Sequence, residues 1–149
     1  MLNMDLSEFM YLHNQAHDFY NAIERRFVEI IFDDKDAIRD NKTDLIWTKD
    51  TNYLTKVKYD EAVEELDSTP WRLPTLDEVI SILDFRFYDP ALFPGLFITS
   101  NQKSLIWTNT WYAGNKDNQD DMWTVDLIHG NLEPRGKNTK YNAWPVTRG

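Results

Sequence analysis

The chain has no cysteine and no continuous apolar run long enough to span a bilayer. No disulfide can therefore form within it, and the composition agrees with a reducing compartment. The mean hydropathy of -0.60 also argues against a membrane protein. Residues 1–8 lack both the basic start and the apolar segment of a secretory signal. We therefore expect a cytoplasmic protein.

Basic residues are outnumbered by acidic ones. Sixteen lysines and arginines stand against 25 aspartates and glutamates, which gives a net charge of -9. A negative field of this size repels nucleic acids and anionic lipid surfaces. We therefore expect neither direct nucleic-acid binding nor membrane binding, and favour a protein partner with a basic or neutral surface.

The length predicts one core domain preceded by a helical extension. A chain of 149 residues buries about 70% of the surface that its unfolded form exposes, which is enough for a core without cross-links. Residues 1–26 form the predicted extension, in which Asp5 and Glu8 suggest a capping box and Leu6, Phe9, Met10 and His13 mark an apolar helix face. That face either packs on its own domain, residues 27–149, or mediates self-association or docking of another chain.

A second helix start is predicted at Thr75. Thr75 can cap the helix, while Asp77 and Glu78 place negative charge at the positive end of its dipole. Pro74 is interpreted as suiting the first turn, where a missing N–H is tolerated. Just before the helix, Trp71 is predicted to enter the core, and Arg72 to pair with an acid or with backbone carbonyls.

The remaining pattern alternates short strands with polar turns. We predict a hairpin within residues 27–39, turning at residues 33–36, and a helix starting at residue 58. The aromatic segment 85–97 is too rich in proline and glycine for regular structure, so we expect an ordered cover over the core. Further strands are predicted at residues 45–48, 104–108, 121–127 and 143–147.

Several of these segments, taken in order, resemble one known family. Residues 38–49 read IRDNKTDLIWTK, similar to the family pattern V-x-D-N-x-T-G-L-x-W-x-K, with Asp44 in place of its usual glycine. The other matching blocks are KYDEAVEEL at 58–66, WRLPT at 71–75, IWTNT at 106–110, MWTVDL at 122–127 and YNAWPVTRG at 141–149. The chain thus resembles the C-terminal domain of bacterial collagen-like adhesins, the Lcl C-terminal domain.

This resemblance implies an α+β fold of the C-type-lectin-like class, with antiparallel strands, two core helices and here an added N-terminal amphipathic helix. It also implies kinship with formylglycine-generating enzymes, but their chemistry needs a reactive cysteine pair or thiol-bound metal, and this chain has no cysteine, not even the one usual in the family's first helix. We therefore expect no enzymatic activity, and we assign no cofactor and no metal site.

The resemblance implies a ligand-binding surface on the late strands and their loops. Exposed aromatic residues there would serve as rigid anchors. The candidate ligand-binding residues are Trp111, Tyr112, Asn115, Asp117, Asp120, Arg135, Lys137 and Tyr141. The residues assigned to structural roles are Trp47, Trp71, Arg72, Trp107, Trp123 and Trp144.

Three functions remain open at this point. The first is a recognition module that binds a protein through this surface. The second is an acidic inhibitor of phage or mobile-element origin that mimics nucleic acid. The negative net charge and the acidic segments 33–36 and 117–121 favour it. The third is carbohydrate binding, which Glu133-Pro134-Arg135 supports only weakly because Arg135 cannot ligate calcium.

Overall fold

The computed structural model describes residues 5–13, 15, 26–100, 104–114 and 120–149. A first sheet has the order β1-β2-β3-β9 and is antiparallel, with β1 at Phe27–Phe32, β2 at Lys35–Asp40, β3 at Leu45–Thr48 and β9 at Val146–Thr147. A second sheet has the order β4-β8-β5-β6-β7, with β4 at Leu54–Val57, β5 at Leu105–Trp111, β6 at Asp121–Asp126, β7 at Asn131–Gly136 and β8 at Tyr141–Ala143. Helices α1 at Tyr59–Asp67 and α2 at Leu76–Ile82 lie between β4 and β5 in the chain. The predicted α+β class is confirmed.

Strands β1 and β2 form the predicted hairpin. Its turn is tighter than the predicted one, because only Asp33 and Asp34 lie between the strands. Both have positive φ, 52° and 57°, as the turns that match the twist of a two-residue hairpin require. Lys35 and Asp36 already belong to β2.

The connection from β2 to β3 is organised by a buried carboxylate. Arg26 donates two hydrogen bonds to Asp40, each of 2.9 Å, and the Lys42 N–H donates a third of 3.0 Å. The chain then reverses at Asp44, whose φ is 60°. Only glycine adopts this conformation without steric cost, which explains why the family pattern has glycine there.

Helix α2 starts as the sequence predicts. The Thr75 hydroxyl accepts a bond of 3.1 Å from the Glu78 N–H, and the Glu78 carboxylate accepts one of 2.8 Å from the Thr75 N–H. The pair is a capping box. Because the first helical residue is Leu76, Pro74 precedes the cap, and its assignment to the first turn was wrong.

Other boundaries differ from the prediction where the local pattern is weak. Helix α1 begins at Tyr59, beside the predicted start, but β4 and β7 are absent from the predicted strands. The predicted strand 143–147 is divided into β8 and β9 around Trp144 and Pro145. Proline has no N–H to donate to a ladder, so the strand breaks there.

Two hydrophobic clusters form the core, rather than the single interior that the sequence suggests. One contains Trp47 and Trp144, whose ring centroids are 4.4 Å apart, and the other contains Trp71 and Trp107. Neighbouring β5 residues enter different clusters, Ile106 the first and Trp107 the second, since successive side chains of a strand point to opposite faces. The core positions predicted for these four tryptophans are confirmed.

Trp123 differs from the other predicted core tryptophans. It is only partly buried and belongs to neither cluster. Its ring meets Tyr112 edge to face, at a centroid distance of 5.1 Å. Its assignment to the core was wrong: Trp123 lies on the face of β6 opposite to Met122, which is buried in the second cluster, and two residues before Val125, which is buried in the first.

The segment 85–97 covers the core over its second part only. Leu92 is buried, and Phe93 and Phe97 pack against the first cluster. Phe85 and Tyr88, by contrast, are 69% and 74% exposed. The predicted cover is therefore confirmed for the later residues and wrong for the earlier ones.

Residues 6–13 are helical, and the Asp5 carboxylate accepts a bond of 2.8 Å from the Glu8 N–H, as predicted for the helix start. The apolar side chains of Leu6, Phe9 and Met10 are exposed. Most of residues 14–25 lie outside the described residues, so the predicted boundary at residue 26 stays a prediction. Among the residues that the structure describes, no helix is long and apolar enough to cross a membrane.

Candidate functional site

The candidate site lies where β5 ends, β6 begins and β7 ends. The pairing register sets Trp111 beside Met122, and Met122 beside Arg135. Tyr112 follows Trp111, and its N–H donates a bond of 3.0 Å to the carbonyl of Asp121. We define the late-strand end as Trp111, Tyr112, Trp123, Arg135 and Lys137.

An irregularity in β5 sets the exposure of Trp111. Trp107 pairs with Thr124 and Trp111 with Met122, so β5 advances four residues where β6 advances two. Bulges of this kind redirect side chains and occur often beside functional sites. Trp107 is fully buried, whereas Trp111 is 41% exposed.

Tyr112 is fixed between an aromatic neighbour and a glycine. Its ring lies at 87° to the ring of Trp123, the edge-to-face arrangement that aromatic pairs prefer. On the other side a Cβ at Gly114 would collide with Cζ and Oη of Tyr112. Gly114 therefore gives the ring the space that this arrangement needs.

Two basic residues, Arg135 and Lys137, lie at the end of β7 and just after it. Arg135 donates to the carbonyl of Pro134 at 2.8 Å and to the Glu133 carboxylate at 3.2 Å, and its side chain is 39% exposed. The ammonium of Lys137 lies 5.2 Å from the ring centroid of Tyr59, within the range of a cation–π contact. Burial raises the pKa of the Tyr59 hydroxyl, and the nearby charge of Asp60 raises it further.

The structure brings together five of the eight predicted ligand-binding residues. Trp111 and Arg135 lie on either side of Met122 in the register, Tyr112 follows Trp111, and the Lys137 N–H donates a bond of 3.0 Å to the carbonyl of Asp120. Asp120 is exposed and directly precedes β6. Two more predicted residues, Asn115 and Asp117, lie outside the described residues.

Tyr141 does not belong to this group, so its assignment there was wrong. It pairs with Val57 in β4, and its ring contacts Trp107 at a centroid distance of 5.1 Å. Because β8 runs parallel to β5 with Asn142 opposite Ile106, Tyr141 lies near the start of β5. Trp111 is the last residue of that strand, at its other end.

Trp123 is the site residue that sequence reasoning missed. The β6 sequence is apolar or uncharged on both faces at positions 122–125, so alternation gives no sign of which face is exposed. What identifies it is its ring contact with Tyr112, a residue of another strand end, and the sequence holds no signal for that contact.

The described residues offer little else that resembles a catalytic or metal centre. They contain no group of three or more His, Cys, Asp or Glu residues placed to hold a metal ion. Asp126, fully buried, contacts the His129 ring at 2.8 Å and accepts a bond of 2.9 Å from the Ile128 N–H. This pair stabilises the turn between β6 and β7.

These features define an α+β domain whose exposed aromatic and basic side chains gather at one end of a sheet. Residues 36–147 match the Lcl C-terminal domain family, and the chain belongs to that family. The family is an adhesin-type domain, which indicates a recognition module. Neither the curated proteins nor the solved structures contain a significant match to this chain.

Proposed function

We propose that the chain is a non-enzymatic recognition module of the C-type-lectin-like class that binds a protein partner through the late-strand end. Membership of an adhesin-type family supports a binding role in general. The choice of surface and of a protein partner rests on the side chains at the ends of β5, β6 and β7.

The observation that carries the proposal is the exposure of Trp111 on a rigid support. Large aromatic side chains dominate the binding energy of protein interfaces, since they bury much area and have few torsions to restrict. Trp111 lies at the end of a paired strand, and the next residue, Tyr112, is fixed by Trp123 and by the carbonyl of Asp121. Binding at Trp111 would therefore cost little conformational entropy, because the backbone and the neighbouring ring are already held in place.

The net charge of the whole chain, rather than the two basic side chains of the late-strand end, favours a partner that is neutral or basic overall. Arg135 is partly neutralised by Glu133, and Lys137 lies against the Tyr59 ring. The whole chain retains a net charge of -9, which attracts basic proteins over long distances and accelerates association. Apolar contact with Trp111 would then supply most of the affinity.

Quantitative affinity capture from the native host tests the proposal, with wild type, Trp111→Ala and Tyr88→Ala as baits. Tyr88 is a matched control, because it is an exposed aromatic that contacts His129 beyond the other end of β6. Loss of a central anchor costs at least about 2 kcal/mol, or roughly 30-fold in Kd. We expect Trp111→Ala to lose the partner and Tyr88→Ala to retain it, with circular dichroism confirming that both are folded.

Equal capture by all three baits would contradict the proposal. A salt titration of the captured complex adds a second criterion, since an interface centred on tryptophan keeps most of its affinity as salt rises, whereas mimicry of nucleic acid loses it steeply. A steep loss would favour the acidic-inhibitor hypothesis.

A further inference from the structure

A concave site lies near the start of β5, whereas Trp111 is at its end. It is a cleft of about 590 Å³ between β4, β8 and the start of β5, within the range of roughly 300–1,000 Å³ typical of small-molecule sites. We call it the β4–β8 cleft. The lining residues that matter are Asn52, Lys56, Leu105, Lys140, Tyr141 and Asn142.

An amide chain shapes one wall of this cleft. The Lys56 N–H donates a bond of 3.1 Å to Oδ1 of Asn142, and Nδ2 of Asn142 donates one of 2.8 Å to Oδ1 of Asn52. Both asparagines are thereby fixed in orientation, since each uses its amide in a defined direction. The cleft wall is preorganised.

Lys56 reaches the cleft through an unusual backbone conformation. Its φ is 52°, and β4 carries one residue more than β8 between the pairs Leu54–Ala143 and Val57–Tyr141. A lysine with positive φ is uncommon, and a bulge redirects the side chains that it contains. Because of the bulge, the Lys56 N–H donates its hydrogen bond to the Asn142 side chain instead of to a backbone carbonyl of β8.

The charge of the cleft is opposite to that of the chain. Its charged lining residues are Lys56 and Lys140, and no aspartate or glutamate is among those that the structure describes there. Neither ammonium forms an ion pair within the described part of the chain. In a chain with 25 acidic residues, a cleft with two uncompensated lysines favours an anion.

We propose that the β4–β8 cleft binds a small organic oxyanion. Lys56 and Lys140 attract its carboxylate or phosphate group, while Asn52 and Asn142 are positioned to hydrogen-bond its polar body. Leu105 and the Tyr141 ring supply apolar contact. This site is distinct from the proposed anchor Trp111, because Leu105 and Trp111 are the first and last residues of β5.

Three compounds on one carbon skeleton test the proposal. Glycerol is neutral, glycerate carries a carboxylate and glycerol 3-phosphate carries a phosphate, so the series changes the head group and keeps the body similar. Each is titrated into the ¹⁵N-labelled protein, with the side-chain amide signals of Asn52 and Asn142 as the readout. We expect one or both anions to shift these signals with saturation and glycerol to leave them unchanged; the tighter anion identifies the head group.

Two charge variants and a control make the test specific. Lys140→Gln and Lys56→Asn each remove one ammonium, and asparagine tolerates the positive φ at position 56. We expect each to weaken binding of the anion by about fivefold, and Lys42→Gln, which removes an exposed lysine in the β2–β3 turn, to leave it unchanged. Trp111→Ala should also bind the anion like wild type.

The proposal is overturned if neither anion saturates the signals below about 10 mM, an affinity weaker than any useful site requires. It is equally overturned if Lys140→Gln and Lys56→Asn bind as tightly as Lys42→Gln. Both failures leave the protein-binding proposal intact, because that one is tested by Trp111→Ala and by the salt dependence of the captured complex.

Discussion

Arg72 and Glu78 form a two-pronged ion pair, with donor–acceptor distances of 2.7 and 2.8 Å, across the first turn of α2. The same carboxylate accepts the Thr75 N–H of the capping box. Arg72 also exchanges two backbone bonds with Val146, of 3.0 and 2.9 Å. Arg72 therefore links the start of α2, through its side chain, to Val146 of β9, through its backbone.

The first prediction concerns Glu78→Gln. Burial by itself raises the pKa of the Glu78 carboxyl, but the hydrogen bonds from Arg72 and Thr75 outweigh it, so the pKa lies below its ordinary value of 4.5. Stability from this group is then complete above that value and is lost as the pH falls through the lowered pKa. We expect the variant to lose about 1–2 kcal/mol of unfolding free energy at pH 7, and the gap to wild type to narrow in acid.

Urea denaturation at a series of pH values measures this gap. Asp77→Asn is the control, because Asp77 is an exposed acid in the same helical turn and contributes only about 0.3–1 kcal/mol through the helix dipole. A gap for Glu78→Gln that stays constant down to pH 3, well below the ordinary value of 4.5, would contradict the assigned role.

Asp44 gives the second prediction, which concerns the backbone. Its φ of 60° is unfavourable for a residue with a side chain and free for glycine. Asp44→Gly should therefore raise the unfolding free energy by about 0.5–1 kcal/mol, measured by thermal or urea denaturation. Asp36→Gly, in the extended strand β2, should instead lower the unfolding free energy by a similar amount. If both changes destabilise the protein, the positive φ of Asp44 does not cost stability.

Local chemistry explains which parts of the fold could be predicted. The capping box of Thr75 and Glu78 needs residues only three positions apart, and the hairpin turn at Asp33 and Asp34 lies between two apolar runs. Such features depend on neighbours in sequence, so the sequence is sufficient.

The parts that escaped prediction depend on distant partners. Tyr141 was predicted to bind ligand together with Trp111, but the parallel pairing of β8 with β5 places it near the start of β5. Trp123 is a large apolar residue of the kind that usually fills a core, but the structure leaves it partly buried and in contact with Tyr112. The β4–β8 cleft likewise combines residues about 90 positions apart, Asn52 and Asn142, for which a single sequence holds no signal.

The third prediction compares two buried tryptophans. Trp47 and Trp144 are both fully buried and in contact, yet only the Trp144 indole N–H donates a hydrogen bond, of 2.8 Å, to the carbonyl of Thr48. The indole nitrogen of Trp47 has no partner among the described residues. Trp144→Phe should therefore cost about 1–2 kcal/mol more unfolding free energy than Trp47→Phe, as measured by urea denaturation; equal losses would show that ring volume alone matters.

The last prediction concerns Gly114→Ala, which adds a single methyl group next to Tyr112. The new Cβ would collide with the outer atoms of the Tyr112 ring, so the ring must turn away and leave its edge-to-face contact with Trp123. Such a contact contributes about 0.5–1.5 kcal/mol, so we expect a modest loss of stability, together with a clear change in near-UV circular dichroism and tryptophan fluorescence.

Gly136→Ala is the matched control for this change. At Gly136 a Cβ would lie 3.6 Å from the Asp121 carboxylate, an ordinary contact, so the spectra and stability should stay close to wild type. If the late-strand end binds a partner, Gly114→Ala should also weaken capture while Gly136→Ala should not, because only the first change moves Tyr112. Unchanged spectra for Gly114→Ala would mean that the ring is not held against Trp123, and the rigid support assigned to Trp111 would be lost with it.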